Sequence, residues 1–273
     1  MPELPEVEVI RRDLVPKVVG RAIEGAVLTA PRLTRRRGTP RGVGAALAGR
    51  TVRALRRRGK FLLFDLTGGE SLVVRLGMTG QLRWAEHGAG FRPDAHTHAQ
   101  IVFPQGAVLY YRDVRKFGEM FLLPTGAVDG TLRIGREPLD PALRAEDLFR
   151  LSRATTRIKS LLLDQTRLAG VGNIYADEAL FRAGIRPTRR ARTLTRAEAA
   201  RLLRALRAVL RAGIRHRGSS ISDYRDAAGS PGRFVRLHRV YHRQGKPCTA
   251  CRTPIRQIQV SQRSTHFCPT CQH

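Results

Sequence analysis

The sequence predicts an α+β chain of several domains: an antiparallel β-sandwich preceded by a short helix, then a helical domain, then a four-cysteine β-hairpin. Three observations carry this. Between about residues 21 and 124 short apolar runs alternate with turn residues, beyond about 130 the apolar period becomes helical, and all four cysteines lie in the C-terminal segment 248–271. The expected boundaries are 1–130 for the sandwich, 131–138 for a linker, 139–235 for the helical domain and 236–273 for the hairpin.

A first helix is expected from Pro5, suited to a first helical position, to about Leu14, with Val7, Ile10 and Leu14 on one face and an end near Pro16. The strand candidates are Lys60 to Leu66, Ser71 to Val74, Ala99 to Phe103, Ala107 to Tyr111 and Glu119 to Leu123. Pro104-Gln105-Gly106 reads as a hairpin turn. In the second half Asp140-Pro141 resembles an N-cap followed by a first helical residue, and further helices fit Ile158 to Gln165 and Asn173 to Ala183. Thr195-x-x-Glu198 is a capping box opening a long helix to about Arg215. Gly218 to Gly232 has no periodicity and is expected to be a mobile loop.

With 273 residues and 42% hydrophobic residues the chain can bury a real core. No apolar run approaches the roughly 20 residues that span a bilayer, and the N-terminus lacks a signal-peptide pattern, so a cytoplasmic monomer without membrane contact is expected. Lys and Arg number 50 against 22 Asp and Glu, a formal charge of +28. That excess suits a polyanion, and nucleic acid is the expected partner. Five of the basic residues are lysine (Lys17, Lys60, Lys116, Lys159, Lys246) and 45 are arginine, the mark of a GC-rich coding bias. Coding bias explains arginine over lysine but not the shortage of acids. Where arginine is the default cation, a lysine either survives by chance or is kept because the chemistry needs an amine that can lose its proton; Lys60, after Arg56-Arg57-Arg58-Gly59, is the best case for the second.

The chain starts Met1-Pro2-Glu3-Leu4-Pro5-Glu6-Val7-Glu8. Removal of Met1 would leave the secondary amine of Pro2 as the terminus. An α-amino group titrates near roughly 8, so part of it is nucleophilic at neutral pH. Its adduct with a sugar C1′ is an iminium with no N–H to lose, a fixed cation that acidifies the C2′ protons and promotes elimination. Read alone, the start favours the plainer reading, in which Pro2 merely resists degradation and Pro5 starts a helix. The cysteines form Cys248-x2-Cys251-x16-Cys268-x2-Cys271, two knuckles that can give four thiolates to one tetrahedral, structural Zn²⁺. Two disulfides are the rival pairing, disfavoured by the missing secretion signal. His242, His266 and His273 lie near, but four sulfurs fill the shell, so these read as surface or DNA-facing residues.

The PELPEVE start, the β-rich first half, Gly170-Val171-Gly172-Asn173 between helices and the ending PIRQIQVSQRSTHFCPTC together resemble the formamidopyrimidine-DNA glycosylase family, over essentially the whole chain. The resemblance is to its 8-oxoguanine-processing branch. It implies a helical domain of the helix-two-turn-helix type and a bacterial, nucleoid-associated enzyme that binds bent duplex between two domains. Such an enzyme excises oxidised purines and cleaves the abasic strand by β- and δ-elimination. Pro2 is then implied as the nucleophile, Glu3 as the acid/base residue at the sugar ring oxygen, and Glu6 as its support; helix-dipole stabilisation is the alternative for these acids. Lys60 is implied on a strand, contacting phosphate and assisting β-elimination, and Arg263 in δ-elimination and in gripping phosphates.

The resemblance assigns Met78, Arg115 and Phe117 to filling the space left by an extruded base, with Met and Phe replacing stacking and Arg bonding the orphaned cytosine. Read alone, Met78 and Phe117 would belong to the core. Asn173 is implied as a phosphate contact, with His96, Lys159 and Arg153 as further DNA contacts, and Ser219 and Tyr224 as lesion contacts on the loop 218–232. Two departures stand out: Arg75 occupies a position where many relatives have histidine, and Arg153-Ala154 replaces a more basic pair. Oxidised pyrimidines are the rival substrate, and a non-catalytic zinc-ribbon DNA-binding protein is the rival class.

Overall fold

The structure is a computed structural model describing residues 1–86 and 91–273. It forms two compact units, one of residues 1–133 with 216–233 and one of residues 134–215 with 234–273. The segment 216–233, expected within the helical domain, thus belongs to the first unit.

The first unit begins with α1 (Leu4–Val18), followed by β1 (Gly25–Leu28), α2 (Pro40–Leu47), β2 (Val52–Arg58), β3 (Phe61–Leu66), β4 (Glu70–Arg75), β5 (Gln81–Ala85), β6 (Thr97–Phe103), β7 (Ala107–Arg112), β8 (Glu119–Pro124) and the short α3 (Val128–Leu132). The strands make two four-stranded antiparallel sheets, ordered β1-β6-β7-β5 and β2-β3-β4-β8. Alternation sends Leu62, Phe64, Leu72 and Val74 of one sheet and Leu82, Ile101, Leu109 and Tyr111 of the other into a shared core. The β6–β7 hairpin turns at Pro104-Gln105-Gly106, where Gln105 takes φ 67°.

Helix α1 lays Val7, Ile10, Leu14 and Val18 into that core. It passes through Pro16 instead of ending there. Proline removes one helical donor, and burial of Val18 at the end of the extra turn offsets that loss. Glu8 fixes the helix to the β2–β3 hairpin: its carboxylate accepts hydrogen bonds from Arg11 (2.8 and 3.0 Å), Arg12 (2.8 Å) and Arg57 (3.1 Å). Arg57 also donates to the Gly59 carbonyl in the turn that carries Lys60.

The second unit contains α4 (Ala145–Ser152), α5 (Ile158–Leu163), α6 (Asn173–Ala183), α7 (Arg196–Arg215) and a hairpin of β9 (Arg256–Val260) and β10 (Arg263–Phe267). Asp140-Pro141 does not open a helix. The Asp140 side chain instead accepts from the Ala142 N–H at 2.8 Å, forming a turn, and α4 begins at Ala145, where Asp147 caps the Arg144 N–H. At α7 the capping box is present, with Thr195 N–H to Glu198 Oε2 at 2.9 Å and Glu198 N–H to Thr195 Oγ1 at 3.2 Å. Lys159 and Asp177 are each 0% exposed, with Nζ 2.6 Å from Oδ1. Lys159 also donates to the Ser264 carbonyl (2.9 Å) and Thr265 Oγ1 (2.8 Å), and Asp177 Oδ2 accepts the His266 N–H (2.8 Å). This buried pair binds β10 to helices α5 and α6.

Two outcomes follow. Burial alone would raise the Glu8 carboxyl, but the hydrogen bonds of Arg11 and Arg12 and the charges of Arg11 and Arg57 outweigh it and hold it at about 2. A depressed carboxyl adds stability above its unfolded value of roughly 4.3, and this is lost as pH falls toward about 2. Thermal melts should therefore show wild type above Glu8→Gln at pH 7, with the gap closing between pH 4.5 and 2.5; a gap constant with pH would contradict the assignment. Lys159→Met leaves Asp177 charged and unpaired, and should cost about 3–5 kcal/mol in urea denaturation, partly recovered by the double variant Lys159→Met/Asp177→Leu.

Candidate active site and nucleic-acid interface

In the first unit, the expected nucleophile and acid lie where the chain enters α1. Pro2 and Glu3 are buried, and Pro2 carries Met1 in peptide linkage, so its nitrogen is an amide in this structure. Glu6 organises the entry. Its Oε2 accepts the Glu3 N–H at 2.9 Å and its Oε1 accepts the Ser219 N–H at 2.8 Å, so one carboxylate ties the start of the chain to the 218–232 segment. Gly218 makes this approach possible: at φ +80°, its missing Cβ would stand 2.8 Å from Glu6 Oε1.

The 218–232 segment has no helix or strand, as its sequence indicates, but it is anchored and not a loose loop. Asp226 accepts from the Ala228 (3.1 Å) and Ser230 (2.8 Å) N–H groups and from Arg217, which also reaches Asp13. The Ala227 carbonyl accepts from Trp84 N–H, and Gln81 donates to the Asp223 carbonyl at 2.7 Å. Ser219 is buried with its backbone bonded to Glu6. Tyr224, expected as a lesion contact, is a core residue: it is 6% exposed among the sandwich side chains, its hydroxyl directed to the Glu6 carbonyl at 3.5 Å. Burial, then the charges of Glu6 and Asp226, push its hydroxyl well above the usual tyrosine range, so it stays a neutral donor.

Lys60 sits in the two-residue turn Gly59–Lys60 between β2 and β3, one position before the strand on which it was expected. Met78, Arg115 and Phe117 lie on the loops after β4 and after β7. Met78 is 37% exposed, Arg115 is exposed and Phe117 half-buried, so none is a core residue. The Arg115 guanidinium lies 4.8 Å from the Phe117 ring centroid. Asp113 holds these loops. Fully buried, it accepts from Thr79 Oγ1 (2.5 Å), Gly118 N–H (2.9 Å) and Arg115 N–H (3.3 Å), with the Tyr111 hydroxyl at 2.9 Å. A Cβ on Gly77 would stand 2.6 Å from the Phe117 backbone, so the two loops touch. His96 is half-buried nearby, its carbonyl accepting the Asp113 N–H. Sequence reasoning missed Asp113 and also Glu119, whose carboxylate gathers Arg35, Arg36 and Arg75.

In the second unit, Gln165 closes the turn before Asn173: its Oε1 accepts the Gly170 N–H, and its Nε2 donates to the Leu163 and Val171 carbonyls. Asn173 Nδ2 donates to the Ser264 carbonyl at 2.9 Å and to Tyr241 Oη at 3.3 Å. Arg263 is exposed at the start of β10, directly after a turn in which Ser261 and Gln262 take φ 50° and 58°. Lys159 and Asn173 therefore grip the same Ser264 carbonyl next to Arg263. Lys159, expected to contact DNA, is instead a buried strut, because Asp177 arrives from α6 to pair it. His266 is likewise buried, not DNA-facing, its backbone held by Asp177. Arg153 is exposed at the end of α4, its guanidinium over the Phe149 ring and donating to the Arg192 carbonyl.

The four cysteine sulfurs lie within 4.8 Å of one another, with Cys248–Cys271 at 3.9 Å and Cys251–Cys268 at 3.4 Å. A tetrahedral zinc with Zn–S bonds of about 2.3 Å sets sulfurs about 3.8 Å apart, whereas a disulfide needs about 2.05 Å. Cys248, Cys251, Cys268 and Cys271 thus fit one structural zinc.

Family profiles match all three parts of the chain: the formamidopyrimidine-DNA glycosylase N-terminal domain over residues 1–120, the H2TH domain of the same enzymes over 134–225, and a zinc finger found in FPG and IleRS over 245–273. The formamidopyrimidine-DNA glycosylase of Thermus thermophilus is 48% identical over 278 residues, covering 100% of this chain and 98% of the relative. The crystal structure of the MutM (Fpg) protein from Thermus thermophilus superposes with TM-score 0.88 at 46% identity over 99% of this chain and 98% of that one. The Lactococcus lactis Fpg superposes with TM-score 0.91 at 35% identity over 99% of each chain, in a complex with abasic-site DNA. Related Lactococcus lactis complexes hold Fapy-dG DNA and oxidised-pyrimidine DNA. By sequence over its whole length and by fold, this chain belongs to the formamidopyrimidine-DNA glycosylase family.

Proposed function

We propose that the chain is a bifunctional glycosylase and AP lyase of base excision repair that removes 8-oxoguanine and formamidopyrimidines from duplex DNA. The observation that carries this reading is the Glu6 carboxylate, which fixes the backbone one residue after Pro2 against the segment 218–232. Holding a nucleophile within a near-attack geometry is worth several kcal/mol, and a chain end has that geometry only when something immobilises it.

Once Met1 is removed, the Pro2 nitrogen attacks C1′ and forms an N–C bond as the base leaves with the glycosidic electron pair. The attached nitrogen loses its proton to the Glu3 carboxylate, Glu3 passes that proton to the ring oxygen, and the ring opens as the freed nitrogen lone pair closes the iminium. Loss of a C2′ proton expels the 3′ phosphate; loss of a C4′ proton then expels the 5′ phosphate. Glu6 is a positioning residue here, since both its oxygens accept backbone N–H groups. Lys60 supplies an amine beside the phosphodiester. Arg263 clamps phosphate, held in place by Lys159 and Asn173 through Ser264. Met78, Arg115 and Phe117 occupy the space of the extruded nucleotide, supported from beneath by Asp113. His96 and Arg153 add phosphate contacts. Cys248, Cys251, Cys268 and Cys271 would hold a zinc ion whose part is structural, fixing the hairpin that carries Arg263. Oxidised pyrimidines are a second substrate class, favoured by the solved relative with such a lesion.

The test is borohydride trapping and strand cleavage on duplex bearing 8-oxoguanine opposite cytosine. Processed wild type should form a covalent adduct and cleave the strand; Pro2→Gly should lose excision by at least about 10²-fold. Retained Met1 should abolish both. An oxidised-pyrimidine duplex run in parallel ranks the substrates. Absence of any adduct from the processed enzyme would leave the non-catalytic DNA-binding reading instead.

A further inference from the structure

In the second unit, helices α6 and α7 and the short turn Phe234–Leu237 border a cavity of about 240 Å³, and none of its lining residues enters the chemistry proposed above. Phe181, Ala208, Val209, Ala212, Phe234 and Leu237 supply its apolar walls. Leu237 and the neighbouring Val235 are 40% and 39% exposed, two large apolar side chains left in water beside an open cavity. Exposed apolar surface gathered in this way marks a contact site.

The walls are preformed. Phe234 is buried and its ring stacks on that of Tyr175, with centroids 5.2 Å apart. The Glu178 carboxylate accepts the N–H groups of Arg239 (2.9 and 3.0 Å), Val240 (3.0 Å) and Tyr241 (2.9 Å), which fixes the chain after the turn to α6. Glu178 is the one acid in the lining, and its charge is spent on these backbone donors. The cations are not spent. Arg182 and Arg239 line the cavity, and Arg204 and Arg211 stand a turn to either side of Ala208 on α7; all four are exposed, and none forms an ion pair among the described residues.

An apolar cavity rimmed by unpaired guanidiniums selects its occupant. Phosphates would satisfy the arginines but leave the apolar walls uncovered, and Asn173, the expected phosphate contact, opens α6 about 13 Å along the axis from Arg182. Whole small molecules usually occupy larger pockets, of about 300–1,000 Å³. We propose that the cavity seats a large apolar side chain, leucine or phenylalanine, from an acidic segment of a partner protein, whose carboxylates pair with Arg182 and Arg239. An apolar anchor in a preformed pocket supplies the affinity, and the charged rim supplies steering and selection. This site does not depend on the repair activity.

The test is fluorescence anisotropy of the zinc-loaded full-length chain at about 150 mM salt, where exposed charges are largely screened. The probes are fluorescein-labelled peptides of several acidic residues ending in Leu-Leu, Leu-Phe or Phe-Phe, beside the same acidic run ending in Ala-Ala. At least one of the first three should bind about tenfold tighter than the Ala-Ala peptide. Arg182→Gln/Arg239→Gln should weaken that binding about five- to tenfold, against less than about twofold for the charge-matched Arg32→Gln/Arg41→Gln, exposed in the first unit. Leu237→Ser, and Ala208→Trp, which fills the cavity, should remove the advantage of the apolar residues while leaving affinity for duplex DNA unchanged. Equal binding of all four peptides, or of none, would overturn the proposal, since charge alone would then account for any attraction. So would an unchanged apolar advantage in a folded Leu237→Ser, or equal losses for the two arginine pairs. Loss of duplex binding as large as the loss of peptide binding would overturn it too, by giving the surface to DNA. If Ala208→Trp fails to fold, Leu237→Ser decides.

Discussion

One carboxylate fixes the start of the chain. Glu6 accepts the Glu3 N–H with one oxygen and the Ser219 N–H with the other, so the start of the chain and a segment more than 200 residues later share a single anchor. A chain end is ordinarily the most mobile part of a protein, and mobility is incompatible with a nucleophile that must meet one carbon. Burial of Val7, Ile10 and Leu14 fixes the axis of α1, and Glu8 fixes its rotation through Arg11, Arg12 and Arg57. Glu6 then has only the first residues left to hold.

The same device recurs at three other places in the chain. Asp113 collects backbone donors from the loop that bears Arg115 and Phe117 and a hydroxyl from the loop that bears Met78. Glu119 collects arginines from three segments, and Asp177 pairs Lys159 while holding β10 beside Arg263. In each case a buried acid, affordable only because donors surround it, converts a flexible surface element into a fixed one. This gives the few acids of a chain with a charge of +28 a shared structural task, while the arginines around them face outward.

Much of this was legible in the sequence, and the failures have physical reasons. The apolar runs 71–74, 99–103, 107–111 and 119–123 all lie in strands, and 60–66 does so from Phe61 onward, because each buries side chains in the sandwich, and the cysteine spacing suffices for a four-sulfur site. Lys159 misleads because a lysine reads as a surface cation until Asp177 is known to lie beside it; Tyr224 misleads because a Gly- and Ser-rich neighbourhood hides an aromatic anchored in the core. Glu119 has no local pattern, and the local turn around Asp113 does not reveal what it holds. Besides its local donors, Asp113 takes the Thr79 hydroxyl from dozens of residues away, and Glu119 takes Arg35 and Arg75 likewise, so only folding brings these donors to the acid. Asp140-Pro141 has the chemistry of a helix start, but its side chain is satisfied two residues on, within a turn.

The central claim is that the fixed chain end is itself the reacting group. Its most direct measurement is mass spectrometry of the borohydride-trapped adduct after proteolysis, which locates the DNA fragment on a peptide. The account predicts the fragment on the peptide that begins with Pro2 and lacks Met1, bonded to the prolyl nitrogen. A fragment carried instead by a peptide containing Lys60, or by any peptide other than the N-terminal one, would contradict it.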